Sequence, residues 1–154
     1  MRSIFFDAVQ SFSKGRLSER SKKCLMETLD KAEVNIPSFI HLETKEDKIE
    51  IEKIFLYSTF HLVCYPERLA ANKVYELGDF LSFGRRSLFI LGLLTEAHEY
   101  DRIVDVGAEA FDSLFNPSER ELIITYDCFL KTKNKIFYKK LLRRGWNFDK
   151  KEES

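Results

Sequence analysis

Glycine and proline are scarce, at six and three in 154 residues. A β-sandwich or barrel needs a turn about every 10 residues, and so few turn formers exclude one. Cysteine is also sparse. Cys24, Cys64 and Cys128 stand forty or more residues apart with no C-x-x-C pair. That spacing excludes a zinc knuckle or a thiol-redox motif and predicts plain thiols in a reducing compartment. No glycine-rich phosphate loop occurs. Long apolar runs are missing too: the stretch from Leu88 to Leu94, interrupted by Gly92, is far short of the about 20 residues that span a bilayer. The opening residues, with Asp7 and Gln10 among them, lack the apolar run of a secretion signal. A cytoplasmic protein without a membrane segment is expected. Excess charge of one sign is absent as well, with 25 basic and 25 acidic side chains, which argues against a dedicated nucleic-acid binder.

What is present is an ordinary globular balance of 44% hydrophobic and 32% charged residues, enough for one core rather than a disordered chain. Fourteen phenylalanines, spread through the chain, read as core filling. The periodicity is helical throughout. Ile4, Phe5, Ala8, Val9 and Phe12 predict a first helix ending near Gly15. Ser18 caps a second, closed by Pro37, and residues 38–43 form a linker. Thr44, with Asp47 three residues on, caps a third, whose apolar residues from Ile51 to Val63 surround it on every side and place it mid-domain. A fourth helix starts at Pro66 and runs through Ala70, Val74, Leu77 and Leu81 to Gly84. Arg85 begins a fifth, through Phe89 to Ala97, followed by a tight corner over Thr95–Arg102. Ile103 to Phe111 form the next, where small Gly107, Ala108 and Ala110 allow two helix backbones to approach. Asn116 as cap, Pro117 in the first turn and Glu119 open a helix through Leu130. Lys131–Lys135 either breaks that helix or lies along its exposed face. A last apolar stripe (Ile136, Phe137, Leu141, Leu142) ends at Gly145. The expectation is an all-α domain over 1–148, about eight helices in stacked hairpins, with a charged, disordered tail at 149–154.

Charge is unevenly distributed. Residues 1–24 carry a net +4, residues 25–130 a net −10 and residues 131–154 a net +6. Lys131, Lys133, Lys135, Lys139, Lys140, Arg143 and Arg144, near Tyr138 and Trp146, form the candidate partner-binding surface, with Arg85 and Arg86 joining it if hairpins stack side by side. Such a patch could bind nucleic acid with a steep salt dependence. Basic residues at a helix end also complement the helix dipole without any partner.

Glu99-Tyr100-Asp101, followed by Ser118-Glu119-Arg120-Glu121-Leu122-Ile123 and Tyr126, resembles the first three helices of the 14-3-3 family and, more generally, a tetratricopeptide hairpin. The resemblance covers roughly Leu88 to Leu142 and implies antiparallel helices with a protein-binding face. It does not carry over the phosphate ligands: Asp127 stands where that family has a lysine.

Glu96, His98, Glu99 and Asp101 invite a metal reading, but Glu96 and His98 are two residues apart, about 200° around a helix. Solvated corner charges are the expectation, and no metal or cofactor is expected. His61, on the apolar third helix, reads as a hydrogen-bonded core histidine. With no catalytic motif, the function expected is a non-enzymatic protein-interaction module: adaptor, scaffold or small helical inhibitor. The alternative is nucleic-acid binding through residues 131–146. The apolar N-terminal helix leaves a homodimer open.

Overall fold

In a computed structural model, residues 2–34, 47–72, 74–146 and 148 are described. They are all-α: α1 (Arg2–Ser13), α2 (Glu19–Val34), α3 (Lys48–Cys64), α4 (Pro66–Ala70), α5 (Leu77–Ile90), α6 (Leu94–His98), α7 (Tyr100–Leu114), α8 (Glu119–Thr132) and α9 (Lys135–Arg143). Among the described residues no helix is long and apolar enough to cross a membrane. Pro37, the linker at 38–43, Thr44 and the tail at 149–154 lie outside the described residues.

The all-round apolar α3 is the centre. It packs against α2, α4, α5 and α7. One side, through Leu62, joins a cluster with Phe80, Leu88, Tyr100, Val104 and Phe137. Its other side, through Val63 and Cys64, joins Val9, Leu25, Ile103, Val106 and Phe111. Walling two clusters encloses the later turns of α3, which explains their lack of amphipathic pattern, while Glu52 and Lys53 of its early turns stay exposed. α1 lays Phe5 and Phe12 on the second cluster, so much of its apolar surface is covered within the chain, though Ile4 stays exposed.

Two glycines behave differently from expectation. The helix expected to stop at Gly84 runs through it to Ile90, because Gly84 is there for space: a Cβ would fall inside the Tyr100 phenol. Gly92, at φ +79°, ends α5 instead. Leu93 N–H returns to Leu88 O at 2.9 Å and Gly92 N–H to Phe89 O at 3.1 Å, the paired bonds of a left-handed helix stop. The helix expected from Arg85 to Ala97 is therefore two, α5 and α6. Gly107 does allow the close approach expected of it; a Cβ there would meet Val63 at 2.9 Å and Leu25 at 3.0 Å.

The remaining differences are capping choices. The helix expected over 66–84 is interrupted, since the Asn72 side-chain oxygen Oδ1 accepts from Val74 N–H (2.7 Å) and Tyr75 N–H (3.1 Å), turning the chain. Asp79 then takes Glu76 N–H at 2.8 Å and starts α5. Asp47 caps α3 by accepting Ile49 N–H at 2.9 Å. Ser118, not Asn116, caps α8, accepting Glu121 N–H at 3.2 Å, so Pro117 lies just outside the helix. Lys133, at φ 55°, breaks the lysine-rich stretch, and Asn134 caps α9 through Ile136 N–H at 2.9 Å. Gly145 closes α9 as expected, with Trp146 N–H on Leu141 O at 2.9 Å.

Candidate binding cleft at the basic last helix

The stripe that docks α9 comprises Ile136, Phe137, Lys140 and Leu141, all buried. Lys140 lies one turn beyond Ile136 and one before Arg144, so the helical period drives a lysine inward. Its side chain is 4% exposed, with Nζ donating to Glu67 Oε1 at 2.7 Å. Thr125 of α8 donates to the same oxygen at 2.8 Å while lying 3.0 Å from Glu121 O. Burial opposes ionisation of Glu67, but the Lys140 charge and the hydrogen bonds prevail and hold its carboxyl below the usual range. Burial pulls Lys140 below the usual lysine range, and Arg144 adds to this, against the opposite pull of Glu67.

On either side of Lys140 the cations meet α7. Lys139 pairs with Asp105 at 3.2 Å. Arg143 Nε donates to Asp112 at 2.8 Å and Arg144 Nη2 to the other oxygen at 3.3 Å. Asp105 and Asp112 are seven residues apart, two turns of α7, and so share one face. The basic end and acidic middle of the sequence are thus partly matched within the molecule. Lys131 pairs with Asp127 at 3.1 Å and Arg85 with Asp101 at 2.6 Å. Lys133 reaches over the Phe129 ring at 5.9 Å, whereas Lys135 and Arg86 are exposed and make no ion pair among the described residues. The candidate surface is therefore not gathered in one place: Arg85 is tied to the start of α7 and Lys131 stays on α8. Trp146 stacks on Tyr126 at 4.8 Å between centroids, and Tyr138 packs on Phe148 at 5.0 Å.

Between the α3–α4 corner, the end of α7, the start of α8 and the inner face of α9 lies a cleft of about 500 Å³. Its apolar wall is Tyr65, Phe111, Phe115 and Ile124; its polar wall is Glu67, Arg68, Thr125, Lys140, Arg144, Asn116 and Glu121. Arg68 stacks on Tyr65, its guanidinium 4.1 Å from the ring centroid. Cys64 lies at the base, where burial pushes its thiol up to about 12. It stays a thiol at neutral pH.

The acidic corner is only partly the solvated cluster expected, since Glu96 is buried. Glu99 accepts Ser18 N–H at 2.9 Å, tying α7 to the start of α2. Asp101 holds Arg85, His98 packs edge-on against Phe89, and Glu96 is buried. No group of three or more metal-ligating side chains occurs among the described residues. His61 is a core histidine, its Nδ1–H on Tyr57 O at 2.8 Å. Burial lowers its affinity for a proton, with the Tyr57 bond acting the other way.

Sequence reasoning singled out Lys140, Arg143 and Arg144 as surface. It did not find Glu67, Asp112, Thr125, Phe115 or Ile124. The position of Lys140 on the Ile136–Leu141 stripe was the available signal. Its partners come from distant helices and left none. Comparison with family models, curated proteins and solved structures finds no match to this chain.

Proposed function

We propose that the chain is a non-enzymatic protein-interaction module that seats a segment of a partner in the cleft and along α8. The observation that carries this reading is the state of α8. Of its fourteen residues only Thr125 is buried, while Ile123, Ile124 and Leu130 are 55%, 46% and 44% exposed. Phe115 and Leu142 are also exposed. Scattered exposed apolar residues are ordinary, but isoleucines facing water beside a concave site fit a binding face. The hairpin resemblance to 14-3-3 and tetratricopeptide proteins agrees with such a role. Three free cysteines suit a cytoplasmic setting. A second copy of this chain is a further candidate partner.

Nucleic-acid binding through α9 has less in its favour. Lys139, Lys140, Arg143 and Arg144 already face carboxylates, so binding phosphates would first require breaking those pairs.

The test is selection of linear peptides from a display library against the immobilised protein. Peptides should be enriched whose affinity drops by about tenfold or more in Ile124→Asp, the loss of one buried apolar contact. Enrichment no better than on an unrelated helical protein, or binders indifferent to Ile124→Asp and Ile123→Asp, would overturn the reading. Salt-sensitive binding of random single-stranded RNA, lost in Lys133→Glu/Lys135→Glu, would favour the alternative.

A further inference from the structure

The outward face of α8 carries a pattern that complements itself. Arg120, Ile123 or Ile124, Asp127 and Leu130 recur at steps of three and four residues and form one exposed stripe. Arg120 and Asp127, two helical turns apart, stand at the two ends of the isoleucine pair. Arg120 makes no ion pair among the described residues. The Asp127 side chain is 60% exposed and gives one oxygen to Lys131 at 3.1 Å; a carboxylate accepts more than one donor. The sequence midpoint of Arg120 and Asp127 is also that of Ile123 and Ile124. A two-fold axis crossing the helix there lays a second α8 antiparallel on the first. Ile123 then meets Ile124 of the second copy and Arg120 meets its Asp127, each contact occurring twice. A parallel pairing would set Arg120 on Arg120 and Asp127 on Asp127, so the charges select the antiparallel one. The molecule as a whole is neutral at pH 7, so no net repulsion keeps two copies apart.

We infer that α8 is a self-association face, pairing antiparallel with α8 of a second copy about an axis between Ile123 and Ile124. This rests on the protein-interaction reading and names the partner that lies along α8. Its fourteen residues make a strip about 21 Å long and about 10 Å wide. Such a strip is far smaller than the about 800 Å² per partner of a stable dimer. The dimer therefore exchanges with monomer and leaves the face open to a competing segment.

The test is sedimentation equilibrium of the full-length protein from about 10 µM to about 1 mM, the range over which a weak contact fills. The wild type should pass from monomer to dimer. Arg120→Asp and Asp127→Arg each oppose like charges at both ends of the contact and should each weaken the dimer by about tenfold or more. Mixed in equal amounts, the two variants should associate again, because one carries two acids where the other carries two bases. Both positions are exposed, and circular dichroism checks that each variant keeps its helices. Dilution of the ¹⁵N-labelled wild type needs no variant and should move the amides from Arg120 to Asp127 most. A wild type monomeric up to about 1 mM would overturn the inference and leave α8 to a segment of a different protein. A dimer indifferent to both charge reversals, no recovery on mixing, or dilution shifts centred on Phe89 to Leu94 would overturn it as well. The module reading is tested apart from these outcomes, by the peptide selection.

Discussion

The centre of the molecule and its last hairpin share apolar packing, but only the hairpin adds buried ion pairs to it. Around α3 the fully buried groups include Leu62, Phe80, Leu88, Ile103 and Tyr100, and the Thr59 and Tyr100 hydroxyls share a hydrogen bond of 2.9 Å. In the α8–α9 hairpin, by contrast, Lys140, Arg143 and Arg144 dock onto Glu67 and Asp112 beside buried Phe137 and Leu141, while Ile123 and Ile124 face water. Apolar contact is undirected and tolerates no gaps. Ion pairs fix a helix at chosen points and leave concave space between. The centre thus supplies stability, and the hairpin supplies a shaped surface.

Substitutions should separate the two regions. The largest effect belongs to the centre: Gly84→Ala drives a methyl into the Tyr100 ring and should cost about 3 kcal/mol or more, at the upper end for overpacking. Chemical denaturation measures this, and a loss below about 1 kcal/mol would mean that α5 and α7 adjust more freely than close packing allows. Next comes the hairpin's ion pair. Glu67→Gln leaves Lys140 buried beside a neutral amide and should cost about 2 to 3 kcal/mol, whereas Glu67→Leu/Lys140→Met should recover most of it. If the double variant is no more stable than the single one, the pair does not act as a unit.

Smaller still is a pH effect in the centre. Because burial holds the His61 imidazole below its ordinary affinity, the unfolded chain binds a proton where the folded chain does not. Stability is therefore full above the unfolded value near pH ~6.5 and declines as pH falls from there to the folded value. His61→Gln should flatten that part of the profile, and an NMR titration should place the His61 midpoint below pH ~6.5. The smallest change is expected on α8: Ile123→Glu faces solvent and should alter stability by no more than ~0.5 kcal/mol while weakening peptide binding.

The sequence exposed the centre more fully than the hairpin. Periodicity placed α3 inside, and small residues around Gly107 pointed to close helix contact. Both follow from local pattern, which a linear reading can see. Gly84 was misread because a glycine needed for space and one needed for φ look alike until the neighbour, Tyr100, is known. Asn116 and Ser118 were both acceptable caps, and only the geometry of the turn chose Ser118. Within the cleft, Lys140 was visible as basic, and its place on an apolar stripe hinted at burial. Glu67 reaches Lys140 from α4, Thr125 of α8 meets the same carboxylate and Asp112 of α7 takes the neighbouring arginines, and nothing local to each one indicates that meeting. The opposite signs of the middle and the end of the chain were legible, but not that part of each neutralises the other.

The most direct measurement is an amide chemical-shift map of the ¹⁵N-labelled protein on addition of a selected peptide. The account expects the perturbed residues to cluster at Tyr65–Arg68, Phe115, the first two turns of α8 and Lys140–Arg144. Shifts centred instead on the exposed corner of Phe89, Ile90, Leu93 and Leu94, with the cleft unmoved, would contradict it.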